Sequence, residues 1–189
     1  LYFKSVFIGG NKKNENFNLD FFYTFNSEGK SVVGFEKSSF KFKDNVWDIN
    51  PNTLDTDKVT FDLKENEFNF SQFKLFSGEQ KVAFSGTLKG ETDKNISVDF
   101  TKLKLQSFLP VLDSLALKGT LSGNIDIIQR EELFNPEAIL SIKDFEVNNF
   151  KQGDLFLNIK GDNSYDKFKV DLSINNKKAK SILASGALD

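Results

Sequence analysis

Apolar residues recur at every second position through almost the whole chain, and that period limits what the chain can fold into. Leu115, Leu117, Gly119, Leu121, Gly123, Ile125 and Ile127 share one parity, while Ser114, Ala116, Lys118, Thr120, Ser122, Asn124 and Asp126 hold the other. A period of two places a residue set on one face of a strand and on no single face of a helix. The same habit runs through Phe17, Leu19, Phe21, Tyr23 and Phe25, through Val59, Phe61 and Leu63, and through Val82, Phe84, Gly86 and Leu88. It continues in Ile96, Val98 and Phe100, in Ala138, Leu140 and Ile142, and in Leu155, Leu157 and Ile159. Phe168, Val170, Leu172 and Ile174 follow, then Ile182, Ala184 and Leu188. Clusters such as "NSEGKS", "KGETDKN" and "KGDNSYDK" separate these runs with the Gly, Asn and Asp that tolerate turn dihedrals. The spacing predicts an all-β chain of about a dozen strands.

Two runs change phase. In "ISVDFTKLKL" the apolar set moves from Ile96, Val98 and Phe100 to Leu103 and Leu105, and in "AILSIKDFEV" from Ala138, Leu140 and Ile142 to Phe145 and Val147. One inserted residue flips the faces of a strand, so each slip predicts either a bulge or two short strands meeting at a corner. Helix is expected only in "LQSFLPVLDS", interrupted by Pro110, and in "QREELFN" before Pro136. The tetrapeptides SGTL, KGTL, QGDL and SGAL place Gly86, Gly119, Gly153 and Gly186 at spacings of 33, 34 and 33, a period that marks stacked repeats.

Chemistry is bounded by what is missing. The chain has no His and no Cys, which removes the commonest general base, the commonest transition-metal ligands and every Ser-His or Cys-His nucleophile pair. Net charge is −2, and Arg130 is the single arginine, so the arginine-rich basic face of a nucleic-acid binder is absent. No phosphate loop or dinucleotide fingerprint occurs; "GTLSGNID" runs along a strand and opens no helix. "DTDKVTFD", Asp55 to Asp62, lacks the central Gly and terminal Glu of a calcium loop and is expected to be a solvated turn. Glu131 and Glu132 are expected as exposed loop charge, and Asn69 and Asn95 head sequons that matter only in a secreted eukaryotic protein. The expectation is a chain that is not an enzyme and holds no metal or cofactor. No apolar run approaches the roughly 20 residues of a spanning helix. The chain starts at Leu1 and contains no Met, so it is expected to be an internal segment of a longer protein.

The remaining feature is a set of amphipathic strands with glycines on the apolar face. Two arrangements accommodate it. Two sheets can close on each other over Gly86, Gly119, Gly123 and Gly186, or the apolar faces can line an open trough in which missing side chains leave room for an acyl chain.

The order of motifs in the second half resembles the TamB and AsmA-like family of bacterial envelope proteins. The resemblance rests on a strand closing on "LP" (Phe108 to Pro110), "L-x-G-x-L-S-G" (Leu117 to Gly123) and a Pro before a strand (Pro136 to Ile142). "F-x-V-N-x-x-x-x-G-x-L" (Phe145 to Leu155) and a strand ending "SGAL" (Ser185 to Leu188) complete it. It covers residues 80–189 best and residues 1–79 loosely, with 1–189 read as one continuous segment. The resemblance implies an elongated, repeating β-groove, a half-open jelly roll of short antiparallel amphipathic strands. It implies an inner-membrane anchor outside this chain and a span across the periplasm of a Gram-negative bacterium. Phospholipid transport toward the outer membrane would pass along the groove, with an outer-membrane barrel of the TamA or BamA kind as partner.

Read on this chain, the lining would be Val82 and Phe84; Ile96, Val98 and Phe100; Leu115, Leu117, Leu121, Ile125 and Ile127; Leu140 and Ile142; Leu155, Leu157 and Ile159; and Phe168, Val170, Leu172 and Ile174. Leu121 and Leu157 are the positions where a charge is expected to stop lipid while sparing the fold. The rival readings are a periplasmic scaffold that holds client strands by pairing at a sheet edge, and an outer-membrane barrel.

Overall fold

The computed structural model describes residues 1–10, 16–52, 57–109, 114–164, 167–176 and 182–188. As the alternation requires, about three quarters of the described residues are strand: β1 (Tyr2–Gly10), β2 (Asn16–Phe25), β3 (Ser31–Phe35), β4 (Ser38–Phe42), β5 (Asn45–Ile49), β6 (Lys58–Asp62) and β7 (Glu67–Ser77). They continue as β8 (Gln80–Lys89), β9 (Asp93–Lys104), β10 (Leu117–Arg130), β11 (Leu133–Val147), β12 (Phe150–Gly161), β13 (Phe168–Asn175) and β14 (Ile182–Leu188). One helical turn, α1 (Leu105–Phe108), follows β9. Every ladder is antiparallel and all fourteen strands belong to one sheet. From β7 to β14 the sheet is a meander in chain order.

Several sequence expectations change here. The strands are not uniformly short, since β10 has 14 residues and β11 has 15, against five in each of β3 to β6. "QREELFN" forms no helix: Gln129 and Arg130 end β10, and Leu133 opens β11 after a two-residue turn. Tight pairing of long flanking strands overrides a weak local helix preference there. Of "LQSFLPVLDS", helix covers Leu105–Phe108, while residues 110–113 lie outside the described residues.

Between β2 and β7 the sheet is assembled differently. β2 pairs with β3 through Phe21–Phe25 and with β4 through Phe17 and Asn18. β7 pairs with β6 through Glu67–Ser71 and with β5 through Leu75 and Phe76. The β4–β5 hairpin and the β3–β6 pair therefore lie end to end, and the seam between them is closed by polar side chains. Ser38 Oγ accepts from Asp20 N at 2.9 Å and donates to Asp20 O at 3.1 Å. Asn50 Nδ2 donates to Phe35 O at 2.8 Å, and Asp57 Oδ1 accepts from Lys74 N. Ser38, Asn50 and Asp57 are 2%, 5% and 2% exposed, so the "DTDKVTFD" turn is not solvated at Asp57. A break in a ladder leaves backbone N–H and C=O groups that must find partners, and these side chains supply them. Asp57→Ala is expected to cost about 1–3 kcal/mol through the orphaned Lys74 N–H. Asp57→Asn, which keeps an acceptor and tolerates the positive φ, is expected to recover most of it; equal denaturation midpoints for wild type and Asp57→Ala would refute the role.

The seam continues across the sheet as a line of bulges. Ladders shift register between Phe70 and Phe73, between Leu121 and Gly123, and between Ile142 and Phe145. Gln72, Lys102 and Asp144, one on every second strand, take the left-handed conformation there, with φ of 54°, 49° and 51°. Ser122 Oγ accepts from Lys102 N at 3.0 Å, and Asp154 Oδ1 accepts from Asp144 N at 2.9 Å, so two of the displaced amides are satisfied by the next strand. Both slips read in the sequence are thus bulges inside continuous strands. A bulge bends its strand and raises its twist, and bulges at matching levels bend the sheet along one line.

Gly86, Gly123 and Gly153 face these bulges with φ of +133°, +136° and +118°. A Cβ on Gly86 would collide with Asn95 O, one on Gly123 with Ile139 O, and one on Gly153 with Asn175 O. The space above these glycines is taken by the neighbouring strand's backbone; it is neither a vacancy for an acyl chain nor the meeting plane of two sheets. The 33–34 residue period corresponds to a two-strand unit, with its glycines on β8, β10, β12 and β14. In the ladder, though, Gly123 and not Gly119 stands where Gly86 does, opposite the residue that precedes a bulge.

Candidate functional site: an uncharged apolar face

Antiparallel register turns the period-two pattern into rows that cross the strands. One row is Leu75, Val82, Phe100, Gly123, Leu140, Leu157, Leu172 and Ala184. Beside it runs Phe73, Phe84, Val98, Ile125, Ala138, Ile159, Val170 and Gly186. On one flank lie Gly86, Ile96, Ile127 and Pro136, with Phe168 opposite Gly161; on the other, past the bulges, lie Leu103, Leu121, Ile142, Leu155 and Ile174. No row contains a charged residue. Of the lining expected from the sequence, all but Leu115 and Leu117 fall in these four rows; Leu117 pairs with Val147 and Leu115 precedes the strand.

In a flat single sheet both faces would be equally open to water. Here they are not: Leu157, Ile159, Val170 and Leu172 are half-buried, while Asn158, Lys160, Lys169 and Asp171 between them are exposed. This asymmetry fits a sheet bent toward its apolar face along the line of bulges. The substantial contacts between elements run between ladder neighbours, apart from those of α1 with β9 and β10. A hollow of about 740 Å³ lies on the opposite face, between Ser141, Phe156 and Ser173 on one side and Ile139, Asn158 and Asp171 on the other, so it is no part of the apolar rows.

One part of the face is sealed. Trp47, Val82, Leu103, Leu105 and Leu121 form a buried cluster against which Phe40, Phe108, Leu109, Leu117 and Phe145 pack. α1 is held over it by Leu109 N donating to Leu105 O at 2.9 Å and by Lys43 Nζ donating to Leu109 O. Leu121, at 7% exposure, and Val82, at 8%, are therefore packing residues with no surface to offer a ligand. The expectation that a charge at Leu121 spares the fold is revised: a carboxylate there would be buried and unpaired.

Half of the face was missed from the sequence. Rings at Phe7, Phe21, Phe35, Phe73 and Phe84 continue one row toward β1, with successive centroids at 5.5, 6.5, 5.5 and 6.5 Å. Tyr23, Phe61 and Phe68 run alongside at 6.3 and 6.0 Å. Such spacings suit tilted and offset rings. The signal was the shared parity of Phe21 with Tyr23 and of Val59 with Phe61. The apolar face thus reaches from β1 to β14, aromatic in the first half and aliphatic in the second.

The rows of this face present apolar side chains and glycine alone. Among the described residues no cluster of carboxylates could hold a metal ion, and no helix is long and apolar enough to cross a membrane. The resolved pKa shifts lie away from the rows. Asp62 is lowered by the Glu65 and Lys64 backbone amides of its turn, and Lys4 is raised by its hydrogen bond to Asp20. Comparison with protein-family models, with curated proteins and with solved structures finds no match for this chain.

Proposed function

We propose that this chain is a non-enzymatic conduit for phospholipid whose acyl chains lie on the concave apolar face. The observation that carries the reading is a continuous, uncharged apolar face that is half-buried along β12 and β13 and sealed where Trp47 and α1 pack on it. Each methylene removed from water contributes roughly 0.8 kcal/mol. A wall that offers this at every strand holds a chain without fixing its position, so hydrocarbon slides at little net cost. The family resemblance sets the proposal in the periplasm of a Gram-negative bacterium. Lipid would pass between inner and outer membranes, with an anchor outside this chain and a barrel partner of the TamA or BamA kind.

Photocrosslinkers placed in turn along β12 test the face. Lipid capture is expected at Leu157 and Ile159 and absent at Asn158 and Lys160, with the captured species identified by mass spectrometry. Capture at both parities, or at neither, overturns the proposal.

A second reading, a scaffold that pairs with client strands, is favoured by one observation. β1 pairs only with β2 among the described residues, and its Tyr2, Phe3, Val6, Phe7 and Ile8 are 51–76% exposed. Its single charge, Lys4, is engaged with Asp20 at 3.2 Å, so the edge lacks the free lysine or proline that usually blocks strand addition. That reading expects Val6→Lys to abolish client capture and Leu157→Glu to leave it unchanged. β14 likewise pairs only with β13 among the described residues, so these strands do not by themselves close into a barrel.

A further inference from the structure

The outer face of the sheet carries a hollow of about 900 Å³ bordered by the bulge residues Lys102 and Asp144. Thr101, Thr120, Ser122 and Ser141 give it hydroxyls. In the ladder Thr120 stands directly between Lys104 of β9 and Lys143 of β11, each one strand spacing away, about 4.8 Å. Two ammonium groups flanking one hydroxyl on one face is an unfavourable arrangement without a counter-charge. Neither lysine has an ion-pair partner among the described residues, whereas Lys102 is paired with Glu79 at 3.2 Å. Asp144 is the other carboxylate on the border, so the lysines outnumber the acids. Ser122 Oγ accepts from Lys102 N at 3.0 Å, which leaves its own proton to donate into the hollow, and Ser141 Oγ donates to Ser122 O at 3.3 Å.

We propose that this outer hollow is a binding site for a phosphate-type oxyanion, with Lys104 and Lys143 supplying charge and the Thr120 and Ser122 hydroxyls donating to its oxygens. A planar carboxylate is best matched by the fork of an arginine, which the hollow lacks; point charges with rotatable hydroxyls suit a tetrahedral anion. A soluble phosphate ester and the headgroup phosphate of a lipid surface present the same chemistry. The site lies on the face opposite the apolar rows, so it stands or falls independently of the conduit.

The test is titration of the whole chain with sodium phosphate and with glycerol 3-phosphate at fixed ionic strength, followed by NMR shifts at Lys104, Thr120 and Lys143. Saturable shifts confined to these positions are expected, with affinity at least fivefold weaker in Lys104→Gln/Lys143→Gln and unchanged in Lys118→Gln. A parallel arm measures sedimentation with phosphatidylglycerol vesicles against phosphatidylcholine vesicles. Binding to the anionic vesicles alone, lost in the double variant, assigns the site to headgroups; saturable binding of the small phosphates assigns it to soluble ligands. No saturable response in either arm, or a response that the double variant retains, overturns the proposal. Circular dichroism confirms that the glutamine variants fold, as the exposure of Lys104 and Lys143 leads one to expect.

Discussion

Leu157→Glu is expected to abolish lipid capture while the sheet remains folded. Leu157 is half-buried in the middle of the apolar row, between Leu140 and Leu172. In the empty protein a glutamate there keeps its carboxylate in water, so the cost is limited to lost side-chain packing and strand preference, about 1–2 kcal/mol. With hydrocarbon across it, the same carboxylate is desolvated without a partner, a penalty of several kcal/mol. Five or six methylenes crossing the site contribute about 4–5 kcal/mol, so most of the affinity disappears. At 1.4 kcal/mol per tenfold, about 3 kcal/mol corresponds to a loss of more than a hundredfold. Lipid extracted from purified variant and wild type, quantified by mass spectrometry beside thermal melts, reads both effects. Asn158→Glu, one residue away on the exposed parity, is expected to keep its lipid. Full lipid recovery from folded Leu157→Glu would remove the row from the function. Leu121→Glu is no substitute: it buries an unpaired charge among Trp47, Leu103 and Leu105 and is expected to unfold the protein.

The contrast between Leu121 and Leu157 marks the limit of what the sequence reveals. Periodicity assigns a residue to a face, and it assigned both leucines to the same one, correctly. Whether that face is covered depends on segments distant in the chain. Here the cover over Leu121 is Trp47 of β5 and the α1 turn, and no periodic signal in β10 announces either. Long-range pairing was hidden for the same reason. β3 joins β6 across the intervening β4–β5 hairpin, and four five-residue strands carry too little pattern to declare their partners.

Bulges, in contrast, were legible, because one inserted residue inverts parity. The slip from Phe100 to Leu103 and that from Ile142 to Phe145 could be read directly, and the same slip from Phe70 to Phe73 was there to be read. Their alignment into one bend could not, since it depends on register between strands. The glycines misled for a related reason. Alternation counts Gly123 as an apolar-face residue with nothing on it, but says nothing about φ, and φ decides what the missing side chain would have met.

Gly123→Ala therefore carries a large expected effect. At φ +136° an alanine is strained, a cost of order 1–3 kcal/mol, and its Cβ would also lie against Ile139 O and 2.9 Å from Leu140 Cα. Neither is a flexible side-chain end, so the β10–β11 ladder itself must shift to admit the methyl group. The sum is expected to reach about 3–5 kcal/mol, measured as a fall in the urea midpoint at unchanged slope. Gly186→Ala is the internal control. Nothing lies within 4 Å of a Cβ at Gly186, so the change is expected to stay within about 0.5 kcal/mol, or to stabilise slightly by restricting the unfolded chain. The pair separates two meanings of a glycine on an apolar face. A large difference between them assigns Gly123 to the bend that makes the face concave. Equal, small costs would mean that Gly123 looks into open space after all, and the source of the concavity would have to be sought outside the line of bulges.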